Sequence, residues 1–413
     1  MKRLGMTVAT VVAVASWMGP SRAPMARAEP AELPPVNERE ALRDTTGLSR
    51  ALLTGASPAL RASAARALGR IQNRGSVPAL TAALRDRSAP VRHETAFALA
   101  LVGDSTAAPA LAARLSTETD PGARVAMITA LGYLSARREG PALAKALASS
   151  NPAERWAAAL AAGRSRDSTL VAPLAAAAKE RDAETRWRAA YALGRIGDRR
   201  AGPTLRALLG DKDPPTRAMA ARSLGDVGDS ASAPALAARL TDAAWRVRVN
   251  AAHALGMLKA PGGAPGLRAL LRDSNPHVRW EAALSLGALR DSTAVTPLTA
   301  ALQDSATGVQ QAAAIALLKI QGEAAVPRVA PSLDLLPPFM RAGVIDALGD
   351  LAGPASLEIL LARLRDSSEP AQAAGAASAL GRRAPDRQRA AAALRGALSS
   401  PDFTVAASAA EAL

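Results

Sequence analysis

Cysteine is absent from all 413 residues, so the chain forms no disulfide and carries no lipid through a lipoprotein cysteine. Aromatic residues make up only 2% of it, which leaves alanine, leucine and valine to build any core. Histidine occurs three times, at His93, His253 and His277, far apart in the chain. A zinc site needs three or four ligands within about 2 Å of one ion, and no such grouping is written here. There is no Ser/His/Asp set and no paired-carboxylate pocket. The stretch APGGAPG at 260–266 lacks the Lys and Ser/Thr of a phosphate loop. No catalytic residue, metal or cofactor is therefore expected.

Lysine is scarce too, at six of 51 basic residues. The formal net charge is +15, but residues 1–28 carry Lys2, Arg3, Arg22 and Arg27 with no acid, leaving +11 for the remainder. These charges are spread evenly instead of clustered, which disfavours nucleic acid as a partner. Lys2 and Arg3 precede the apolar run LGMTVATVVAVASWMG, and ARA at 26–28 offers small residues before Glu29. That pattern predicts a secretory signal peptide over 1–28, a periplasmic or secreted product, and no stable membrane anchor after cleavage.

What the chain has in abundance is repetition. A leucine of the recurring ALG falls at Leu68, Leu99, Leu131, Leu193, Leu224, Leu255, Leu286, Leu317, Leu348, Leu380 and Leu413, with Ala162 standing in once. The step is 31 residues, lengthening to 32 or 33 at three places. A fixed period in this range marks a solenoid or a propeller. Within one unit Val91, Ala96 and Leu99 share a helix face, and Leu111 and Leu115 lie four apart after Pro109. Each unit therefore reads as helix, short turn, helix. Gly69, Gly132, Gly194, Gly225, Gly256 and Gly287 fall where the first helix is expected to end.

The pattern DPxVRxxAAxALGxIGDxxAxPxLxxxLxD resembles the HEAT repeat in the short form also found in phycobilin lyases, over roughly residues 40 to 413. The resemblance implies an all-α, right-handed α-solenoid of about eleven 31-residue helix-turn-helix repeats. Residues 29–54 are expected to be a linker and a capping half-repeat, and 55–413 the array. The closing PDFTVAASAAEAL reads as the first helix of a twelfth repeat, so truncation of a longer protein is expected. Some HEAT-repeat hydroxylases bind two irons through several His-Glu pairs. This chain has one, His93-Glu94, and that resemblance fails. The chain also resembles the repeat part of exported proteins in which a cyclophilin-type peptidyl-prolyl isomerase domain follows. That would make it the client-presenting part of an enzyme whose catalytic residues lie beyond residue 413.

Two patterns bear on binding. Arginine recurs at one register position, Arg61, Arg92, Arg124, Arg155, Arg186, Arg217, Arg248, Arg279 and Arg341. Acids at Asp86, Asp182, Asp213, Asp242 and Asp273 are expected to pair with it in a structural ladder. Trp156, Trp187 and Trp280 follow ladder arginines directly, and Tyr191 lies four residues after Trp187. At 100° per residue they leave the core stripe, either to pack against neighbouring repeats or to anchor a protein partner. The concave surface is expected to be lined by the second helices, with Arg114, Arg206, Arg239 and Arg268 on it. The function expected is an exported, non-catalytic scaffold for a protein or peptide partner.

Overall fold

Asp182 shows how each repeat begins. In extended backbone, its carboxylate accepts hydrogen bonds from the backbone N–H groups of Glu184 and Thr185, and the helix Ala183–Ile196 starts there. Asn151 and Asp213 cap Pro152–Ser165 and Pro214–Asp226 in the same way, with proline in a first turn that has no use for its N–H. The helix Ala183–Ile196 stops at Gly197, whose φ of 75° suits a residue without Cβ. Asp198 then accepts from the N–H of Arg200 and sets a three-residue 3-10 turn, and the short helix Gly202–Leu208 follows. This computed structural model describes residues 34–351, 353–383 and 386–413; the expected signal peptide lies outside them. Among the described residues there is no strand, and the architecture is an all-α solenoid.

The periodic leucines form the core. Leu68, Leu99, Leu131, Leu193, Leu224, Leu255, Leu286 and Leu317 are buried, and so are the short-helix residues Leu80, Leu111, Leu143, Leu174, Leu205, Leu236, Leu267 and Leu298. They join one cluster that runs the length of the array. Each repeat adds its own layer to that core, as expected for a solenoid.

The ALG glycines refine the sequence reading. They stand in the last turn of each first helix, as expected, but do not cap it: Gly132 precedes the last residue of Pro121–Tyr133, and Gly287 lies two before the end of Pro276–Leu289. Both face the next long helix. A Cβ on Gly132 would sit 2.6 Å from the Cα of Ala161, and one on Gly287 would sit 2.9 Å from the Cα of Ala316. Glycine is required there because two backbones nearly touch. In two repeats serine strengthens the contact, with Ser223 Oγ donating to the Ala190 carbonyl and Ser285 Oγ to that of Ala252, both at 2.9 Å.

This close approach decides the curvature. The long helices stack closely on one another at successive repeats, whereas each short helix packs chiefly on the long helix that follows it and much less on the neighbouring short helices. A two-layer stack bends towards its tighter layer. The long first helices, packed more tightly than the second helices, therefore form the inner layer of such a bend. At the start of the described array, Pro34–Ala41 and Thr45–Thr54 lie against Pro58–Ile71, with Leu48 and Leu52 buried. Regularity lapses once, at 322–341, where Gly322 has φ 57°, Pro331 sits inside Val326–Leu333, and Leu335 and Phe339 are exposed.

Candidate partner-binding face

The arginine ladder is built from the turns upward. Arg186 Nε and Nη2 donate to the two carboxylate oxygens of Asp211 at 2.6 and 2.8 Å, while Nη1 donates to the Glu180 and Arg181 carbonyls. Arg61 with Asp86, Arg217 with Asp242, Arg248 with Asp273, and Arg279 with Asp304 repeat the fork. Each guanidinium thus ties the turn before it to the turn after its own repeat. Two acids expected in the ladder serve otherwise: Asp213 caps a helix, and Asp182 caps one and accepts from Trp156 Nε1 at 2.6 Å. Arg92 grips Glu118 through both carboxylate oxygens and holds its carboxyl at about 2, far below its ordinary 4.5. Arg155 has no such carboxylate and reaches Thr185 Oγ1 instead, at 3.4 Å. Guanidinium groups bound in this way are not free for an outside anion.

The aromatic residues occupy a different surface. Nine lie beyond residue 28, and all nine, from Phe97 to Phe403, are carried by the first helices of repeats. Trp187 stacks on Tyr191 with ring centroids 6.1 Å apart, and Trp245 on His277 at 5.6 Å. Arg188 lies over the rings of both Trp156 and Trp187, Arg246 over Trp245, and Arg164 over Tyr133. The two readings of the tryptophans divide between residues. Trp156 is packed laterally against the next helix, whereas Trp280 keeps 38% of its surface exposed. On the same face Glu281 lies 3.1 Å from His253 Nδ1 and holds that imidazole above its ordinary range.

The predicted arginines are elsewhere. Arg114, Arg206, Arg239 and Arg268 belong to the outer, short-helix side. Each is tied to an acid of this chain: Arg114 to Glu118, Arg206 to Asp229, Arg239 to Asp242 and Arg268 to Asp291. The structure therefore groups Trp156, Trp187, Tyr191 and Trp280 on one face and sets the four arginines apart from it. Sequence reasoning missed Trp245, Met219, Arg166, Arg195 and Arg222. Three of the five were hidden in plain register: positions two, five and nine after a ladder arginine turn away from the short helices, and Met219, Arg222 and Arg195 sit on them. Among the described residues no cluster of His, Cys, Asp and Glu could hold a metal ion, and no helix is long and apolar enough to cross a membrane.

A family model of HEAT repeats matches residues 45–132, 140–217, 171–256, 234–319 and 264–337. The chain belongs to the HEAT-repeat family. Its fold is similar to that of importin beta, at a TM-score of 0.61 and 15% identity, over 90% of this chain and 62% of that one. It is similar to Kap95p, from a structure with RanGDP, at 0.58 and 14%, over 92% of this chain and 63% of that one. It also resembles the karyopherin Kap121p bound to the extreme C-terminus of the phosphatase Cdc14p, at 0.53 and 14%, over 92% and 50%. The chain thus spans half to about three fifths of the length of these solenoids. No curated protein matches it.

Proposed function

We propose that this chain is an exported, non-catalytic scaffold that holds a segment of a protein partner against the inner face of its long helices. One observation carries the reading: a chain with very few aromatic residues places all nine of those beyond residue 28 on one layer, that of the first helices. Tryptophan and tyrosine are favoured anchors at protein interfaces, and a core-only role would not need them where alanine and leucine fill every other repeat. The arginines over Tyr133, Trp156, Trp187 and Trp245 add polar handles to an apolar surface. HEAT solenoids of this shape hold protein segments, as the Kap121p complex with a Cdc14p C-terminus illustrates. The basic N-terminus, apolar run and ARA sequence support action outside the cytoplasm.

Site-specific photocrosslinking in cells that make the protein tests this. A photoreactive residue at Leu160, Tyr191 or Leu284 should trap a partner of discrete mass. The same residue at Ala207 or Ala269, exposed on short helices, should not. Adducts confined to the short-helix positions would overturn the reading.

A further inference from the structure

Two cavities on the inner face adjoin at Met219, and their chemistries differ. One, of about 380 Å³, lies between Trp187 and Trp245 over Pro214, Pro215 and Ala218. The other, of about 400 Å³, is ringed by Arg166, Arg195 and Arg222, with Tyr191 in its wall and Asp226 as its one acid. The charge in this cavity is unbalanced, three arginines to one aspartate, whereas ladder arginines such as Arg186 and Arg217 are each bonded to a carboxylate. Among the described residues, Arg166 and Arg195 make no side-chain hydrogen bond and join no ion pair. Arg222 meets Asp226 only at 4.0 Å. Three guanidinium groups thus converge with one carboxylate between them, beside an apolar cleft with tryptophan on both sides.

We propose that the two cavities form one two-point site for an extended acidic segment of a protein partner. A large apolar side chain of that segment enters the tryptophan cleft, and a carboxylate is taken by Arg166, Arg195 and Arg222. Guanidinium forks match carboxylates through paired N–H donors, and the three cations supply the charge complementarity. The spacing follows from helix geometry. Trp187 and Arg195 are eight residues apart on one helix, and at a rise of about 1.5 Å per residue that is roughly 12 Å. An extended peptide advances about 3.3 Å per residue, so the apolar residue and the carboxylate stand three or four residues apart. This site rests on the scaffold reading and narrows it to one partner chemistry.

The test uses fluorescence anisotropy with the purified chain and a labelled peptide. That peptide carries one tryptophan and, four residues on, a pair of glutamates in a glycine–serine background. In one control lysines replace the glutamates, and in another serine replaces the tryptophan. The acidic tryptophan peptide should bind about tenfold more tightly than either control, each interaction being of the order that gives such a factor. Trp245→Ala should lose about tenfold for that peptide and nothing for the tryptophan-free one. Arg195→Glu, on an exposed side chain that holds nothing else, should reverse the preference for glutamate over lysine. Ala207→Glu should change nothing. Circular dichroism of the variants separates loss of binding from loss of fold. Equal binding of the glutamate and lysine peptides, or no binding at about 1 mM, would overturn the site. So would displacement of the peptide by a thymidine oligonucleotide that binds more tightly. If inner-face crosslinks form while the peptides show no discrimination, this site fails and the scaffold stands. If adducts form only on the short helices, the scaffold itself fails.

Discussion

Glu118 is almost wholly buried, and it is held by two arginines: Arg92 through both oxygens, and Arg114 at 3.0 Å. Its carboxyl titrates near 2 in the folded chain against an ordinary 4.5. The folded state therefore binds this proton less readily than the unfolded state. The stabilisation is complete above about pH 4.5 and is lost as the pH falls towards 2. A shift of that size corresponds to about 3 kcal/mol at neutral pH. Asp211, held down by its hydrogen bonds from Arg186, behaves with the same sign. Glu118→Gln should lower urea stability at pH 7 by a few kcal/mol and flatten its decline between about pH 4.5 and 2. An unchanged acid profile would show that the ladder does not supply this stability. Ladder arginines were readable in the sequence from their spacing alone. Of the acids expected to pair with them, Asp86, Asp242 and Asp273 do so, each with the arginine 25 residues upstream, in a turn that only stacking brings near.

At the scale of the helix, the sequence is informative wherever a residue type has one physical use. Leucine at a 31-residue step has one, and its burial follows. Glycine has two, ending a helix and letting two backbones approach; Gly132, in the last turn of its helix, serves the second. The close approach also makes the long helices the tighter of the two layers. Trp245 escaped notice for a related reason. It opens its helix three residues before Arg248, out of register with the other tryptophans, and only the folded chain brings it opposite Trp187. Gly132→Val would force a side chain into Ala161, with its Cβ 2.6 Å from the Cα there. It should cost about 1–3 kcal/mol or more in chemical denaturation and open the local curvature in small-angle scattering. Ala207→Val, on an exposed short-helix position, should stay within about 0.5 kcal/mol.

Across the molecule every register position from Arg61 to Arg279 holds an arginine, and the run first breaks at Gln310. Gln310 stands where an arginine is expected, donating to the Asp304 carbonyl at 2.6 Å, but no carboxylate of the next turn answers it. The irregular stretch with Gly322, Pro331 and the exposed Leu335 and Phe339 follows directly. In a nearest-neighbour array, the weakest interface is where the stack opens first. A protease that cuts after large apolar residues should therefore nick the native chain first at 335–339. The N-terminal piece should keep its helical signal. First cuts within the regular repeats between 58 and 302 would contradict this.

The Arg–Asp fork spans 25 residues inside a 31-residue period, so every rung is closed within one step of the stack. Removing one whole period, such as residues 214–244, would leave the rungs on either side with their own partners. Reach is then a quantity the chain counts out in equal increments. A gene that gains or loses a single copy lengthens or shortens the ruler without redrawing its marks.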